Sequence, residues 1–256
     1  MTISTQAKHI ARTLADRSGF GHAYTYAWWR LHGRSKGLVT DWNRRHQAIF
    51  VHVPKAAGTS VAAMFGMPRP ADFHAPVSGY LSADPALFAR ALKFTVVRNP
   101  WDRLVSAYHY GLTTSLESER RWADPNLGQF PDFNAFVRAL RRPAFRAEVL
   151  GHLTFTPQHH FLCHPLGGLR VDRVCRFERL WEGMLDVGRA IGVQPHAIRI
   201  NASAHRAYPS YYTRETRDIA AALYRRDIKL FGYRFGESED APGVEAAPGL
   251  LGGAIA

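Results

Sequence analysis

Two short stretches of the chain combine a cation with glycine, proline or hydroxyl residues in an order that suits anion binding. They are Val51–Ser60, VHVPKAAGTS, and Thr95–Tyr108, TVVRNPWDRLVSAY. Each pattern predicts an apolar strand, a tight turn and the start of a helix, with Lys55 or Arg98 at the turn. Backbone N–H groups and the helix dipole favour negative charge at such a turn. One anion site at each of two strand ends implies a ligand with two separated anionic groups.

The first stretch differs from the commonest phosphate loop. Its strand is predicted over Gln47–Val53 and its turn over Pro54–Gly58, with Thr59 and Ser60 opening a helix. In the common loop, GxxxxGK followed by Ser or Thr, the lysine comes directly before the helix and the hydroxyl binds magnesium. Here the lysine precedes the single glycine of the turn, and no acidic strand end is evident as a second magnesium ligand. An ordinary NTPase is therefore disfavoured.

The second stretch predicts a strand over Lys93–Val97 that ends at Arg98. Asn99 is suited to cap the next helix and Pro100 to occupy its first position. Ser106 lies about two turns into that helix, on roughly the same side of it as the residues at its N-terminal end. An ion pair on the surface or between domains is the alternative role for Arg98. The Asn-Pro pair and the serine that follow favour anion binding instead.

Both stretches resemble motifs of a known family. Pro54–Ser60 is similar to the 5′-phosphosulfate loop of sulfotransferases, and Arg98–Tyr108 is similar to their 3′-phosphate motif. The resemblance is to the sulfotransferase family 2 group, which includes membrane-bound carbohydrate sulfotransferases and bacterial relatives, and it extends over about residues 47–235. Further segments that carry it are Thr156–Gln158, Val171–Asp172, Arg176–Leu180, Asn201–Ser203, Tyr211–Thr213, Asp227 and Phe231–Tyr233.

The resemblance implies a sulfate donor, 3′-phosphoadenosine 5′-phosphosulfate (PAPS), and no metal ion. The residues expected to hold the 5′-phosphate, through backbone N–H groups and two hydroxyls, are Ala56, Ala57, Gly58, Thr59 and Ser60. Lys55 is placed to reach the bridging oxygen and stabilise the departing phosphate, since such transfers depend on positioning and donated charge. By the same resemblance Arg98 and Ser106 hold the 3′-phosphate, a task that suits the planar fork of arginine.

An acceptor hydroxyl needs a base, and a neutral imidazole has a suitable pKa. Among 13 histidines, His74 is preferred because it follows a brief strand predicted at Ala71–Phe73. Relatives of the 2-O-sulfotransferase type resemble this chain there and have their catalytic histidine at that place. The alternative is a turn histidine that only hydrogen-bonds to the backbone. His109, one turn beyond Ser106, is a second candidate, whereas His52 is interpreted as a core residue.

Possible zinc ligands recur in a third group, which comprises His152, His159, His160, Cys163 and His164. Their spacing matches no recurrent structural zinc pattern, so a metal site is disfavoured. The chain has two cysteines, Cys163 and Cys175. We expect both to be reduced, which predicts a cytoplasmic protein.

Strands and helices alternate over 47–235, which predicts an α/β domain. The expected architecture is a P-loop-like, three-layer fold with a central, mostly parallel sheet flanked by helices. Ligands of such sheets bind beyond the carboxyl ends of the strands. We therefore expect Lys55, His74 and Arg98 at one edge of the sheet.

The remaining segments carry weaker signals. Residues 1–46 predict a basic, aromatic N-terminal arm, and residues 236–256 an acidic, disordered tail. Thr113–Phe130 is polar and poorly periodic, which predicts a lid or acceptor-binding loop. Apolar residues at helical spacing predict a helix over Leu180–Ile191. A last helix is predicted over about Thr213–Leu230, ending at a glycine.

The net charge of +12 favours anionic ligands. No stretch approaches the ~20 apolar residues of a membrane span, and no secretory signal pattern is evident. Peripheral contact with lipid headgroups through the basic arm stays an alternative. The expected function is sulfuryl transfer from PAPS to a hydroxyl acceptor, foremost a glycan, with no nucleic acid as partner. The alternatives are a non-catalytic nucleic-acid or polyanion-binding protein and a nucleotide phosphotransferase. Acceptor identity and oligomeric state are not indicated.

Overall fold

A computed structural model describes residues 37–68, 74–164, 168–197 and 206–237. Within these residues the chain forms a three-stranded sheet and a set of helices. The strands are β1 (Ala48–Val51), β2 (Leu92–Val97) and β3 (Arg173–Arg176). The α-helices are α1 (Asp41–His46), α2 (Gly58–Met64), α3 (Val77–Ala83), α4 (Pro85–Arg90), α5 (Pro100–Thr113), α6 (Glu117–Asn126), α7 (Phe133–Ala139), α8 (Pro143–Gly151), α9 (His159–Leu162), α10 (Leu180–Ile191), α11 (Arg214–Leu223) and α12 (Arg225–Phe231).

The sheet has the order β1–β2–β3, and both strand pairs are parallel. Phe50 lies opposite Phe94, and Thr95 lies opposite Val174. All four residues of β1 are buried, as is typical of a parallel sheet whose faces are covered by helices. The predicted α/β class, with a parallel sheet flanked by helices, is confirmed.

The chain divides into two compact units, each made from separate segments of the sequence. Of the described residues, those before Arg98 and those from Gln158 to 197 belong to unit 1, which therefore contains the whole sheet. Those from Arg98 to Pro157 and from 206 to 237 belong to unit 2. Its α-helices are α5 to α8, α11 and α12.

A carboxylate in unit 1 sets the register between β2 and β3. Oδ2 of Asp172 accepts a hydrogen bond from the backbone N–H of Lys93 at 2.7 Å and pairs with Lys93 Nζ at 2.9 Å. The backbone N–H of Asp172 donates to the Lys93 carbonyl at 2.7 Å. This reciprocal contact holds the start of β3 beside β2.

The prediction of a loop over Thr113–Phe130 is wrong, because α6 occupies most of it. Ala123 and Leu127, four residues apart, are buried against Gly111 of α5, where an added Cβ would lie 2.5 Å from Leu127 Cδ1. Besides these two residues, Trp122 of α6 packs partly buried against the core. So few apolar positions do not form a wide helical face that the sequence would reveal. Ion pairs four residues apart, such as Glu117–Arg121 at 2.7 Å, lie on its exposed side.

The predicted last helix is instead two helices, α11 and α12, which meet at Tyr224. Tyr224 leaves the helical region, with φ −105° and ψ 23°. The buried Tyr224 hydroxyl donates to the Phe155 carbonyl at 2.9 Å. The predicted end at Gly232 is confirmed, with a left-handed φ of 64°.

Several predictions lie outside the described residues. These are the strand Ala71–Phe73, the tail beyond 237 and most of the arm. Within the part of the arm that is described, Trp42 donates from Nε1 to the Phe65 carbonyl at 3.0 Å. The limits proposed for arm, domain and tail stay predictions.

Candidate functional site

The loop between β1 and α2, in unit 1, has an unusual backbone. Lys55 and Ala57 have φ values of +65° and +60°, in the left-handed region that residues with a Cβ rarely adopt. Each such residue costs of order 1–3 kcal/mol, a strain found most often at ligand and active sites. Turns with left-handed residues can direct successive N–H groups into one concavity that binds anions. The backbone of this loop therefore suits an oxyanion.

The start of α2 adds donors to this loop. The first helical hydrogen bond runs from the N–H of Val61 to the carbonyl of Ala57 at 3.0 Å. The N–H groups of Gly58, Thr59 and Ser60 come before it, so the helix itself provides them with no acceptor. The side chain of Thr59 is exposed and that of Ser60 is half-buried, as is that of the lysine at the turn. Hydroxyls, N–H groups and an ammonium thus lie along one short segment.

Gly58 is required by a neighbouring ring. A Cβ added at this position would lie 1.8 Å from Cδ2 and Nε2 of His52. His52 is buried, as predicted, and its ring stacks on Phe50 with 5.7 Å between centroids. The imidazole therefore packs directly against the backbone that opens α2. Sequence reasoning assigned the glycine to the turn alone and missed this contact.

His74, the preferred candidate base, lies beside His52. The ring centroids of His74 and His52 are 4.2 Å apart, and His74 Nδ1 is 3.5 Å from the His52 carbonyl oxygen. A proton on Nδ1 directed at that carbonyl would leave Nε2 as the basic nitrogen. The structure thus brings the candidate base close to the candidate anion loop, through a ring that touches both.

The second motif opens unit 2. Arg98 follows β2 directly and is 7% exposed. Its Nε donates to Oδ2 of Asp102 at 2.7 Å. This pair is local and nearly buried, so it differs from the surface or interdomain ion pair that is the alternative role of Arg98. This ion pair at Nε orients the guanidinium group.

The helix after Arg98 forms as the sequence predicts. Asn99 caps α5 by accepting from the N–H of Trp101 at 3.1 Å, and Pro100 is the first helical residue. Ser106 is 5% exposed, in the second turn of α5. Sequence reasoning missed Asp102, although its spacing of four residues from the arginine was a usable signal.

His109 has a different environment from the preferred base. It lies on α5, and its ring is 5.4 Å from that of Tyr108 and 5.0 Å from that of Tyr211. Edge-to-face contacts of this kind are typical of aromatic packing. His109 belongs to unit 2, whereas His74 belongs to unit 1.

The ranges that the structure covers contain neither a cluster of metal-ligating side chains nor a membrane-spanning helix. In those ranges, no group of three or more His, Cys, Asp or Glu side chains is arranged to hold a metal ion. Of the possible zinc ligands, His152 instead stacks on Trp122 at 3.8 Å and contacts Thr154 Oγ1 at 2.9 Å. None of the helices in the same ranges combines the length and apolar character needed to cross a membrane.

Comparison with known proteins gives one match. A family model described as the sulfotransferase family matches residues 40–234, a range that includes both motifs and most of the chain. No curated protein and no solved structure matches the chain significantly.

Proposed function

Because this chain belongs to the sulfotransferase family, we propose that it transfers a sulfuryl group from PAPS to a hydroxyl group of a carbohydrate. The observation that carries the proposal is the strained loop at Lys55 and Ala57, which lies inside the family match. A loop of this kind suits a phosphate or sulfate group, and the net charge of +12 favours anionic ligands in general.

In the proposed reaction the acceptor oxygen bonds to sulfur while the bond from sulfur to the bridging oxygen breaks. Adenosine 3′,5′-bisphosphate is the leaving product. The positive ammonium of Lys55 stabilises the negative charge that develops on the bridging oxygen. The N–H groups from Ala56 to Ser60 hold the 5′-phosphate and keep the breaking bond in position.

The acceptor hydroxyl loses its proton as the new bond forms, and we assign that proton to Nε2 of His74. The contact from Nδ1 to the His52 carbonyl supports this choice, because it orients the ring. His109 is the second candidate, and substitution of each histidine separately distinguishes them.

Arg98 and Ser106 are assigned to the 3′-phosphate. Asp102 holds the guanidinium by its Nε, and bidentate pairing with phosphate oxygens suits a guanidinium oriented in this way. This contact would make the site bind PAPS more tightly than nucleotides that lack a 3′-phosphate.

Thermal unfolding with three ligands tests the proposal. A ligand present at about 100 times its Kd should raise the Tm by about 5 °C. We expect adenosine 3′,5′-bisphosphate to do so. A shift with ATP–magnesium alone would favour a phosphotransferase, and one with heparin alone a polyanion-binding protein. Transfer of radiolabelled sulfate from PAPS to a panel of glycans, lipid-linked sugars and small alcohols then identifies the acceptor.

A further inference from the structure

A buried arginine lies on α5 between the two residues assigned to the 3′-phosphate. Arg103 is only 2% exposed. It follows Arg98 by five positions and precedes Ser106 by three. All three residues belong to unit 2. The role of Arg103 is not covered by the proposed chemistry.

The guanidinium of Arg103 binds the backbone of the segment after α8. Nη2 donates to the carbonyls of Thr154 at 3.0 Å and Thr156 at 2.8 Å. The carbonyl between them, that of Phe155, accepts from the hydroxyl of Tyr224 at 2.9 Å. Three consecutive carbonyls are therefore bound by side chains from α5 and from the junction of α11 and α12. Arg103 thus attaches α5 to the segment after α8, and Tyr224 attaches the same segment to the junction of α11 and α12.

The charge of Arg103 has a buried counterpart. Burial lowers the pKa of Arg103, whereas the nearby Tyr224 and Asp227 raise it. Asp227, on α12, is fully buried. The positive charge of Arg98 lowers the pKa of Arg103 further, so the two guanidinium groups repel each other. An anion bound at Arg98 would relieve this repulsion.

Stability alone is a weak reason for such an arrangement. Replacing a buried ion pair with well-packed apolar residues is often neutral or stabilising. The first turn of α5 is already attached by other contacts, from Asn99 Nδ2 to the Arg234 carbonyl and from Trp101 Nε1 to the Arg217 carbonyl, both at 3.0 Å. Arg103 adds a charged contact between α5 and a different segment, the backbone of Thr154 and Thr156.

We propose that Arg103 is a positioning residue for the 3′-phosphate site. By binding the carbonyls of Thr154 and Thr156, it sets the rotation of α5, and it adds positive potential behind the site. The rotation in turn sets the direction of Asp102, which holds Arg98, and of the Ser106 hydroxyl. This inference rests on the proposed function.

The test compares adenosine 3′,5′-bisphosphate with AMP, which lacks the 3′-phosphate. Isothermal titration, well below the Tm of each variant, gives the ratio of the two Kd values. In wild type we expect at least about tenfold tighter binding of the bisphosphate, because charged phosphate contacts are strong. In Arg103→Met the ratio should fall by about tenfold, the loss typical of an orienting contact, while AMP binding is retained.

Matched variants separate positioning from folding. Val149→Ala removes buried apolar atoms from the core of the same unit and should lower the Tm without changing the ratio. Arg103→Lys keeps the charge but lacks the planar guanidinium that fixes the direction of both bonds, so its ratio should fall by a smaller factor. If Arg103→Met does not fold, Arg103→Lys decides the question.

One result would contradict the role of Arg103, and another would contradict the 3′-phosphate site itself. A wild-type ratio in every folded Arg103 variant would show that Arg103 serves only stability. Equal affinity of the wild-type protein for bisphosphate and AMP would instead refute the assignment of a 3′-phosphate site, and with it the proposed function.

Discussion

The loop after β1 and the helix after β2 are two candidate anion sites built from different materials. The loop uses backbone N–H groups, small residues and two left-handed positions. The start of α5 uses side chains, with a nearly buried ion pair and the buried guanidinium of Arg103 on the same helix. A backbone site depends on space and conformation, whereas a side-chain site depends on charge. The two should therefore fail in response to different substitutions.

The largest expected contrast comes from removing each cation. In Lys55→Ala we expect kcat to fall about 10²- to 10³-fold with little change in bisphosphate affinity, because the ammonium acts on charge that develops in the transition state. In Arg98→Ala we expect the Kd for the bisphosphate to rise at least about tenfold, because a ground-state phosphate contact is lost. Titration and radiolabel transfer measure the two effects. Equal bisphosphate affinity in wild type and Arg98→Ala would refute the role of the arginine.

Space in the loop is tested next. Gly58→Ala places a Cβ within 1.8 Å of His52, so the loop or the ring must move. We expect kcat/KM to fall about 10²-fold, as for a misplacement of about 1 Å. Gly192→Ala is the control, since it meets no atom within 4 Å but has a φ of +68°. It should lower the Tm and leave activity unchanged. If Gly58→Ala were fully active, the close packing of His52 would be irrelevant to the site.

Apolar support of α5 gives a smaller, structural effect. Leu127→Ala removes a fully buried side chain at the C-terminal cap of α6 that lies against Gly111. The free energy of unfolding should fall by about 2–5 kcal/mol, as measured by urea denaturation. Leu116→Ala, at a position that is 56% exposed, should change it by less than about 0.5 kcal/mol. Equal effects of the two substitutions would argue that the stretch is a loop after all.

The smallest effect concerns the thiol of Cys175, which lies in strand β3 of unit 1. Burial raises the pKa of Cys175 to about 12, and only the thiolate is nucleophilic. In a Cys163→Ser background, native Cys175 should be alkylated at pH 8 at least about tenfold more slowly than in urea. The unfolded thiol ionises from about pH 9, so above that pH the unfolded state is favoured and stability falls. Equal alkylation rates in native and unfolded protein would contradict this burial.

Local sequence pattern was sufficient wherever an element is specified by its own residues. Asn99 and Pro100 start α5 as predicted, and the Asn99 side chain accepts from the N–H of Trp101 at 3.1 Å. The α/β class and the parallel sheet followed from the alternation of strands and helices. The two motifs, with Lys55 and Arg98 at their turns, were identified from the order of their residues together with the resemblance to the family, and the roles of both residues stay predictions.

Contacts between distant residues were not accessible in this way. The break between α11 and α12 depends on Tyr224 and the Phe155 carbonyl, 69 residues away. The packing of α6 depends on a glycine in another helix, and the need for Gly58 depends on the position of a histidine ring. The surroundings of Arg103 combine segments from three parts of unit 2. Periodicity and capping describe neighbours along the chain, whereas burial and charge pairing exist only once folding has brought remote segments into contact.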